Sequence, residues 1–231
     1  MRTIGLIGGM SWESSQVYYQ KVNEAVRDQL GGLHSAKCIL YSVDFAEIEE
    51  LQHAGKWEEA GTHMANAARS LEAAGADMIV LCTNTMHKLA YAIQGASTLP
   101  FIHIADATAG KIKADGYQRV GLLATRFTME QEFYTGRLQQ EHGLEVLLPD
   151  EAGREAVHAI IYEELCRGII REESKQVYLR IIDKLIEEGA EAIILGCTEI
   201  GLLITQTDCS VAVYDTTEIH AIAAVEAALE K

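Results

Sequence analysis

The feature that most constrains this chain is that it repeats itself. Leu71-Glu-Ala-Ala-Gly-Ala-Asp-Met-Ile-Val-Leu-Cys-Thr83 lies over Leu185-Ile-Glu-Glu-Gly-Ala-Glu-Ala-Ile-Ile-Leu-Gly-Cys197 without a gap, an offset of 114 positions from Thr83 to Cys197. Ile4-Gly-Leu-Ile matches Val120-Gly-Leu-Leu at nearly the same offset, 116 positions from Gly5 to Gly121. Each half therefore opens with a strand and later presents a helix, a glycine turn, a strand and a polar turn. Repeats of this kind fix the architecture before any single residue is considered.

The elements follow from periodicity. Ile4–Ile7, Cys38–Val43, Met78–Cys82, Val120–Leu123, Val146–Leu148, Ile193–Leu195 and Val211–Val213 read as strands. Segments 56–74, 128–141 and 171–188 carry apolar residues at three- and four-residue spacing and read as helices. Such alternation implies parallel sheets with crossover helices on both faces. The expected fold is α/β, with two Rossmann-like parallel-sheet halves related by pseudo-two-fold symmetry and an active site in the cleft between them. The first half is expected over 1–115 together with a C-terminal helix in 215–231, and the second over 116–214. Open α/β sheets bind ligands at the carboxyl ends of their strands. The turns at Thr83 and Cys197 are thus expected on opposite sides of one ligand, which suits a reaction needing a group on each face of a carbon.

Composition narrows the chemistry. The 231 residues carry 34 acidic and 19 basic side chains, a net charge of −15 with no local basic patch, which disfavours nucleic acid. No apolar run approaches the roughly 18 residues that span a bilayer, and the opening MRTIGLIGGMSWES reads as a first strand rather than a signal. No membrane association and a cytoplasmic location are expected. Gly5-Leu-Ile-Gly8-Gly9 follows the first strand but does not fit the dinucleotide fingerprint G-x-G-x-x-G. Five cysteines (Cys38, Cys82, Cys166, Cys197, Cys209) without C-x-x-C spacing, and eight histidines without H-x-x-x-H spacing, argue against a disulfide framework or a zinc site. Free thiols are expected, one of them a candidate base.

The two turns carry the candidate chemistry. The first reads Cys82-Thr83-Asn84-Thr85-Met86-His87 and the second Gly196-Cys197-Thr198-Glu199-Ile200. Asn84, Thr85 and Thr198 are good helix N-cap types, and backbone N–H groups at a helix start suit a carboxylate. Cys197 at a strand end beside a helix N-terminus is expected to have a lowered thiol pKa. Cys82 maps one residue before the reactive position and is expected in the core; packing is also the reading for Cys38, Cys166 and Cys209. His87, one helical turn after Thr83, is read as a capping or packing residue that could also reach the site. Glu199 would raise the thiol pKa as a neighbouring acid, so it is expected to tune Cys197 or to point to solvent or a partner.

ILGCTEI (194–200), LCTNTMH (81–87) and IGLIGGMSWES (4–14) together resemble the aspartate/glutamate racemase family, end to end and including the duplication. GGMSW looks like the aspartate-racemase branch, most of all the L-aspartate/glutamate-specific enzymes. The resemblance implies a homodimer without pyridoxal, metal or other cofactor, acting on a small amino-acid substrate. One cysteine thiolate removes the α-proton and a second cysteine protonates the opposite face. Cys197 matches the cysteine that serves the L-enantiomer. The position of the other is Thr83, a departure, because a hydroxyl is far too weak an acid to be a resting base near neutral pH. Thr83 can still donate a proton or hold a water that does, so the L-to-D direction is expected to be kinetically favoured. The family's substrate contacts carry over to Asn84, Thr85, Thr198 and Thr125, with Met10 and Gln52 lining the pocket. Arg167 or Cys166 stands near where some aspartate racemases place a lysine. The alternatives are a single-cysteine relative of the arylmalonate decarboxylase or maleate isomerase type, or a non-catalytic dicarboxylate-binding module.

Overall fold

The computed structural model describes Met1–Glu230, and the chain forms two compact units: Met1–Ile104 with the segment from His220 onward, and Ala105–Ile219. The chain passes from one unit to the other at 104/105 and 219/220, where the sequence reading put the boundaries at 115/116 and 214/215.

The first unit runs β1 (Ile4–Gly8), α1 (Trp12–Leu30), β2 (Cys38–Ser42), α2 (Phe45–His53), α3 (Trp57–Ala73), β3 (Met78–Leu81), a 3₁₀ turn (Thr85–Leu89), α4 (Ala90–Ala96) and β4 (Phe101–Ile102). Its sheet is parallel with the order β2-β1-β3-β4, Ile4 standing opposite both Cys38 and Met78. Alternation along the central strands divides the core into two layers. Ile4, Leu6, Met78 and Val80 pack with Tyr18, Val22 and Val26 of α1. Ala221, Ala224, Val225 and Ala228 of α9 (Thr216–Leu229) complete that layer. Ile7, Ile79 and Leu81 face the other way, onto Ile48, Met64, Ala67, Leu71 and Ile93. A sheet covered on both faces needs apolar residues at every strand position, which is why β1 and β3 read as continuous runs.

The second unit begins within α5 (Ile104–Ala114) and continues through β5 (Arg119–Leu123), α6 (Arg126–Glu130), β6 (Glu145–Leu147), α7 (Glu151–Glu163), α8 (Glu172–Glu187), β7 (Ala192–Leu195) and β8 (Ala212–Asp215). Its parallel sheet has the order β6-β5-β7-β8, with Val120 opposite Ala192. The two sheets thus have the same order of corresponding strands, and in each the order reverses between the two central strands.

The repeat has a visible physical basis in the turn that enters β3 and β7. The Gly75 N–H bonds the Glu72 carbonyl and the Ala76 N–H the Leu71 carbonyl, both at 3.0 Å; Gly189 to Ile186 and Ala190 to Leu185 repeat the pair at 2.9 Å. This is a Schellman ending, which requires a left-handed residue after the helix. Gly75 and Gly189 supply it with φ of 90° and 100°.

All seven expected strands are present. β4 escaped sequence reading because it is two residues long. The expected helix over 128–141 is a correction: α6 ends at Glu130, the chain turns extended at Gln131 (φ −110°, ψ 143°), and Arg137–Glu141 forms a separate π-helical turn. Buried Met129, Tyr134 and Leu138 gave the helical spacing, although the backbone between them is not one helix.

If the Schellman turn is what fixes the entry to β3, Gly75→Ala should cost about 1–2 kcal/mol through its left-handed backbone. Gly95→Ala, in α4 with no atom near the new methyl, should be neutral or gain up to about 1 kcal/mol. Urea unfolding of both variants checks this; equal effects would contradict it.

Candidate active site

In the first unit the candidate residues gather at the carboxyl edge of β1 and β3, where the strand order reverses. Gly9 turns the chain out of β1 with φ 92°, and its N–H donates to Ser15 Oγ at 2.7 Å. Ser11 then caps α1 by accepting from the Ser14 N–H at 3.3 Å, leaving Met10 buried between these two constraints. On the neighbouring strand the Cys82 N–H bonds the Ile7 carbonyl at 2.8 Å, one step beyond the assigned strand. Cys82 points into the core, as strand alternation predicts, and burial pushes its thiol pKa far up. Thr83 follows with its N–H on the Leu81 carbonyl at 2.9 Å. It is 7% exposed, and among the described residues its hydroxyl makes no hydrogen bond.

Asn84 precedes a five-residue 3₁₀ turn and makes no side-chain cap bond, so the N-cap expected of it is not formed. Asn84 and Thr85 are nonetheless buried beside Thr83 in sequence. Gln52 is brought from α2 to the same turn, its Nε2 donating to Met86 Sδ at 3.0 Å. His87 is buried in the turn, Nδ1 at 2.7 Å from the Thr83 carbonyl oxygen.

The second unit repeats the arrangement at the carboxyl edge of β5 and β7. The Gly196 N–H bonds the Leu123 carbonyl at 2.7 Å, the counterpart of Cys82 on Ile7. A side chain at 196 would meet Leu122 Cδ1 at 2.7 Å and Ala124 Cβ at 3.1 Å, which explains glycine where the first repeat has Cys82. Thr125, two residues past β5, caps α6: its hydroxyl accepts from the Thr128 N–H at 3.4 Å and lies 3.2 Å from the Thr128 hydroxyl.

Cys197 is 8% exposed, and its thiol donates to Glu199 Oε2 at 3.0 Å. The Thr198 hydroxyl donates to the same oxygen at 2.6 Å. One alternative is decided here and one expectation is corrected. Glu199 does not face solvent: it is 2% exposed and holds the thiol proton's acceptor. The Cys197 pKa is not lowered but raised well above the ordinary thiol value, first by burial and then by the Glu199 charge, with Cys166 and the bond to Glu199 adding to it. The helix expected to favour a thiolate is a three-residue 3₁₀ turn, Ile200–Leu202, too short to build a dipole. The thiol and the carboxylate are thus joined by one hydrogen bond. Thr198 is bound to the pair by its single O–H, which leaves its backbone and its lone pairs for a ligand.

Sequence reasoning missed Tyr178, a fully buried phenol on α8 whose pKa is raised by burial and then by Cys197, Cys166 and Glu199. No local pattern marks it, since it sits on the apolar stripe of an ordinary helix. Cys166 is half-buried in a 3₁₀ turn near the same group, whereas Arg167 beside it is exposed. Asp106, Glu141 and His142 bring ligand-type atoms within 4.8 Å of one another. Arg137 already occupies both Asp106 oxygens at 2.6 and 2.8 Å, so this cluster is an ion-pair network.

The thiol–carboxylate pair makes a direct prediction. Removing the charge in Glu199→Gln should move the pH dependence of Cys197 alkylation to lower pH, because a neighbouring carboxylate disfavours the thiolate. Mass spectrometry of the Cys197 peptide after iodoacetamide treatment reads this out. An unchanged or upward-shifted profile would contradict the pairing.

Comparison with known proteins gives the family of the chain. The profile of the family described as Asp/Glu/Hydantoin racemase matches residues 7–224. The chain is similar to a Yersinia pestis protein of known structure whose assignment as an Asp/Glu racemase is provisional, at 59% identity and TM-score 0.92 over the whole of both chains. A Pyrococcus horikoshii OT3 aspartate racemase homologue matches at 38% identity and TM-score 0.86, again covering both chains fully. The broad specificity amino-acid racemase RacX of Bacillus subtilis is 23% identical over 92% of each chain. With the family profile matched over nearly its whole length and with its duplicated α/β fold, the chain belongs to the Asp/Glu/hydantoin racemase family, and with it to the isomerases.

Proposed function

We propose that this protein racemises acidic amino acids, L-aspartate and L-glutamate, without a cofactor, with Cys197 as the base for the L-enantiomer and Thr83 where a second cysteine would stand. The observation that carries the reading is the Cys197–Glu199 pair at the carboxyl end of β7, matched in the first unit by Thr83 at the carboxyl end of β3.

The chemistry starts from a protonated thiol. Its proton passes along the 3.0 Å bond to Glu199 Oε2, leaving a thiolate. The pair's charge does not change in this first transfer, which therefore avoids creating a new charge in a buried place. The thiolate then takes the proton from Cα. The Cα–H electron pair moves into the α-carboxylate as an enediolate, and Cys197 is a thiol again with Glu199 protonated. Asn84, Thr85 and the Thr198 backbone are the proposed donors to that carboxylate, with Met10, Gln52 and Thr125 lining the pocket. On the opposite face the proton comes from the Thr83 hydroxyl or from a water that it holds. Solvent then restores the proton there and removes the extra one from the pair, so substrate loses one proton and gains one.

The asymmetry follows from the residue types. A thiolate is reachable on the Cys197 side, whereas the Thr83 side offers no resting base. The equilibrium constant between enantiomers is one, so kcat/KM is equal in the two directions and the asymmetry shows as a lower kcat, with a correspondingly lower KM, for the D-forms.

In deuterium oxide, L-aspartate or L-glutamate should lose its α-proton signal and give the D-form on chiral chromatography, and Cys197→Ala should abolish both. Loss of Glu199 as proton acceptor, in Glu199→Gln, should lower kcat by about 10²–10⁴-fold, the usual contribution of general acid–base catalysis. Thr83→Cys should raise kcat from the D-enantiomer relative to kcat from the L, with KM changing in step. Absence of exchange with all four enantiomers would overturn the substrate assignment, and saturable binding without exchange would identify a binding module.

A further inference from the structure

His87 occupies a position whose chemistry is fully specified by its surroundings. It is 2% exposed, so neither ring nitrogen is satisfied by bulk water. Nδ1 lies 2.7 Å from the carbonyl oxygen of Thr83, and Nε2 lies 3.2 Å from the backbone nitrogen of Ile104. A carbonyl oxygen only accepts and an amide N–H only donates. Nδ1 therefore carries the hydrogen, and Nε2 presents a lone pair to the Ile104 N–H. The ring is neutral, because a proton on Nε2 would face that amide hydrogen.

The surroundings hold this state. The His87 ring packs against His103 at 4.5 Å, Phe101 at 5.5 Å and His220 at 5.8 Å between centroids. His220 is itself assigned by its partners: Tyr18 donates to its Nδ1 and its Nε2–H donates to the Ile102 carbonyl, both at 2.8 Å. A phenol could reverse its role, but the carbonyl could not, so Nε2 of His220 bears the hydrogen. Two buried imidazoles, in opposite tautomers, thus fasten Ile102 and Ile104 on either side of His103.

Thr83 is the beneficiary. Its N–H is tied to Leu81, its carbonyl to His87, and the His87 N–H returns to the Asn84 carbonyl at 3.0 Å. Both peptide planes flanking Thr83 are fixed, and with them the direction in which its Cα–Cβ bond leaves the backbone. We propose that His87 is a positioning residue that acts through the Thr83 carbonyl to aim the Thr83 hydroxyl, and so sets how efficiently the far face of the substrate is reprotonated. This rests on the racemase reading above, and in particular on Thr83 serving that face.

Two conservative variants separate the roles of the two ring nitrogens. His87→Asn places an amide N–H about where Nδ1 lies and keeps the bond to Thr83 while losing the one to Ile104. His87→Gln places an amide oxygen about where Nε2 lies and does the reverse. The readout is the ratio of inversion to α-proton exchange for L-aspartate in deuterium oxide. Exchange reports Cys197 alone, and inversion also requires the Thr83 side. A displacement near 1 Å costs about 100-fold at a reacting group, so His87→Gln should lower inversion about 10–100-fold while exchange stays within about threefold. His87→Asn should retain most of the wild-type ratio. Parallel loss of exchange and inversion in both variants, or an unchanged ratio in His87→Gln, would overturn the proposal. Wild-type exchange with inversion is the control for the reading it rests on; if that is absent, the racemase assignment fails first and visibly. Should neither variant fold, long-range ¹⁵N–¹H spectra of the wild-type protein decide: protonated Nδ1 and bare Nε2 are expected at neutral pH, and the other tautomer or a cation would overturn it.

Discussion

Everything in this fold follows from how its two central strand pairs end. A parallel ladder satisfies the backbone only as far as the strands run side by side, and beyond it every N–H and C=O must find another partner. In both units the ladder is carried one residue further, by Cys82 on Ile7 and by Gly196 on Leu123. The next residue is then released at the sheet's carboxyl edge with a polar side chain and a fixed backbone. Thr83 and Cys197 are those residues. Small and hydroxyl side chains (Gly9, Ser11, Ser15, Thr125) complete the neighbouring turns, because short polar groups reach the loose backbone donors where long ones would not fit.

The same edge explains the electrostatics. A buried thiol beside a buried carboxylate cannot lose its proton to solvent cheaply, because two negative charges would then share a low-dielectric site. Transfer between them keeps one charge in place and needs only a short hydrogen bond, which the 3.0 Å contact supplies. On this account a raised thiol pKa is compatible with a catalytic base, since the thiolate forms by exchange within the pair rather than by release to water. The Thr198 hydroxyl donates to the same carboxylate oxygen and so helps to hold that oxygen beside the thiol.

Much of this was legible in the sequence, and the reasons are local. The glycine turns at Gly75 and Gly189 and the strands that follow them are written into contiguous residues, so the duplication and seven of the strands could be read directly. The residues just past those strands, Thr83 to Thr85, Cys197 and Thr198, were legible for the same reason. What could not be read depends on side chains arriving from elsewhere. Gln52 and His87 were legible as candidates, but their contacts were not, since Gln52 reaches Met86 across 34 positions and His87 reaches Ile104 across 17. The direction of the Cys197 pKa was misread because it depends on whether Glu199 folds inward and on how long the following helix is. Both are settled by packing rather than by the GCTE motif.

The central claim is that Cys197 breaks the Cα–H bond of the L-enantiomer. Comparing L-aspartate carrying deuterium at Cα with the ordinary compound tests it most directly, by following consumption in light water. The account predicts a primary isotope effect on kcat/KM in the L-to-D direction, with D-product that has lost its deuterium. D-product that retains the deuterium, or inversion that leaves Cys197→Ala undiminished, would contradict it.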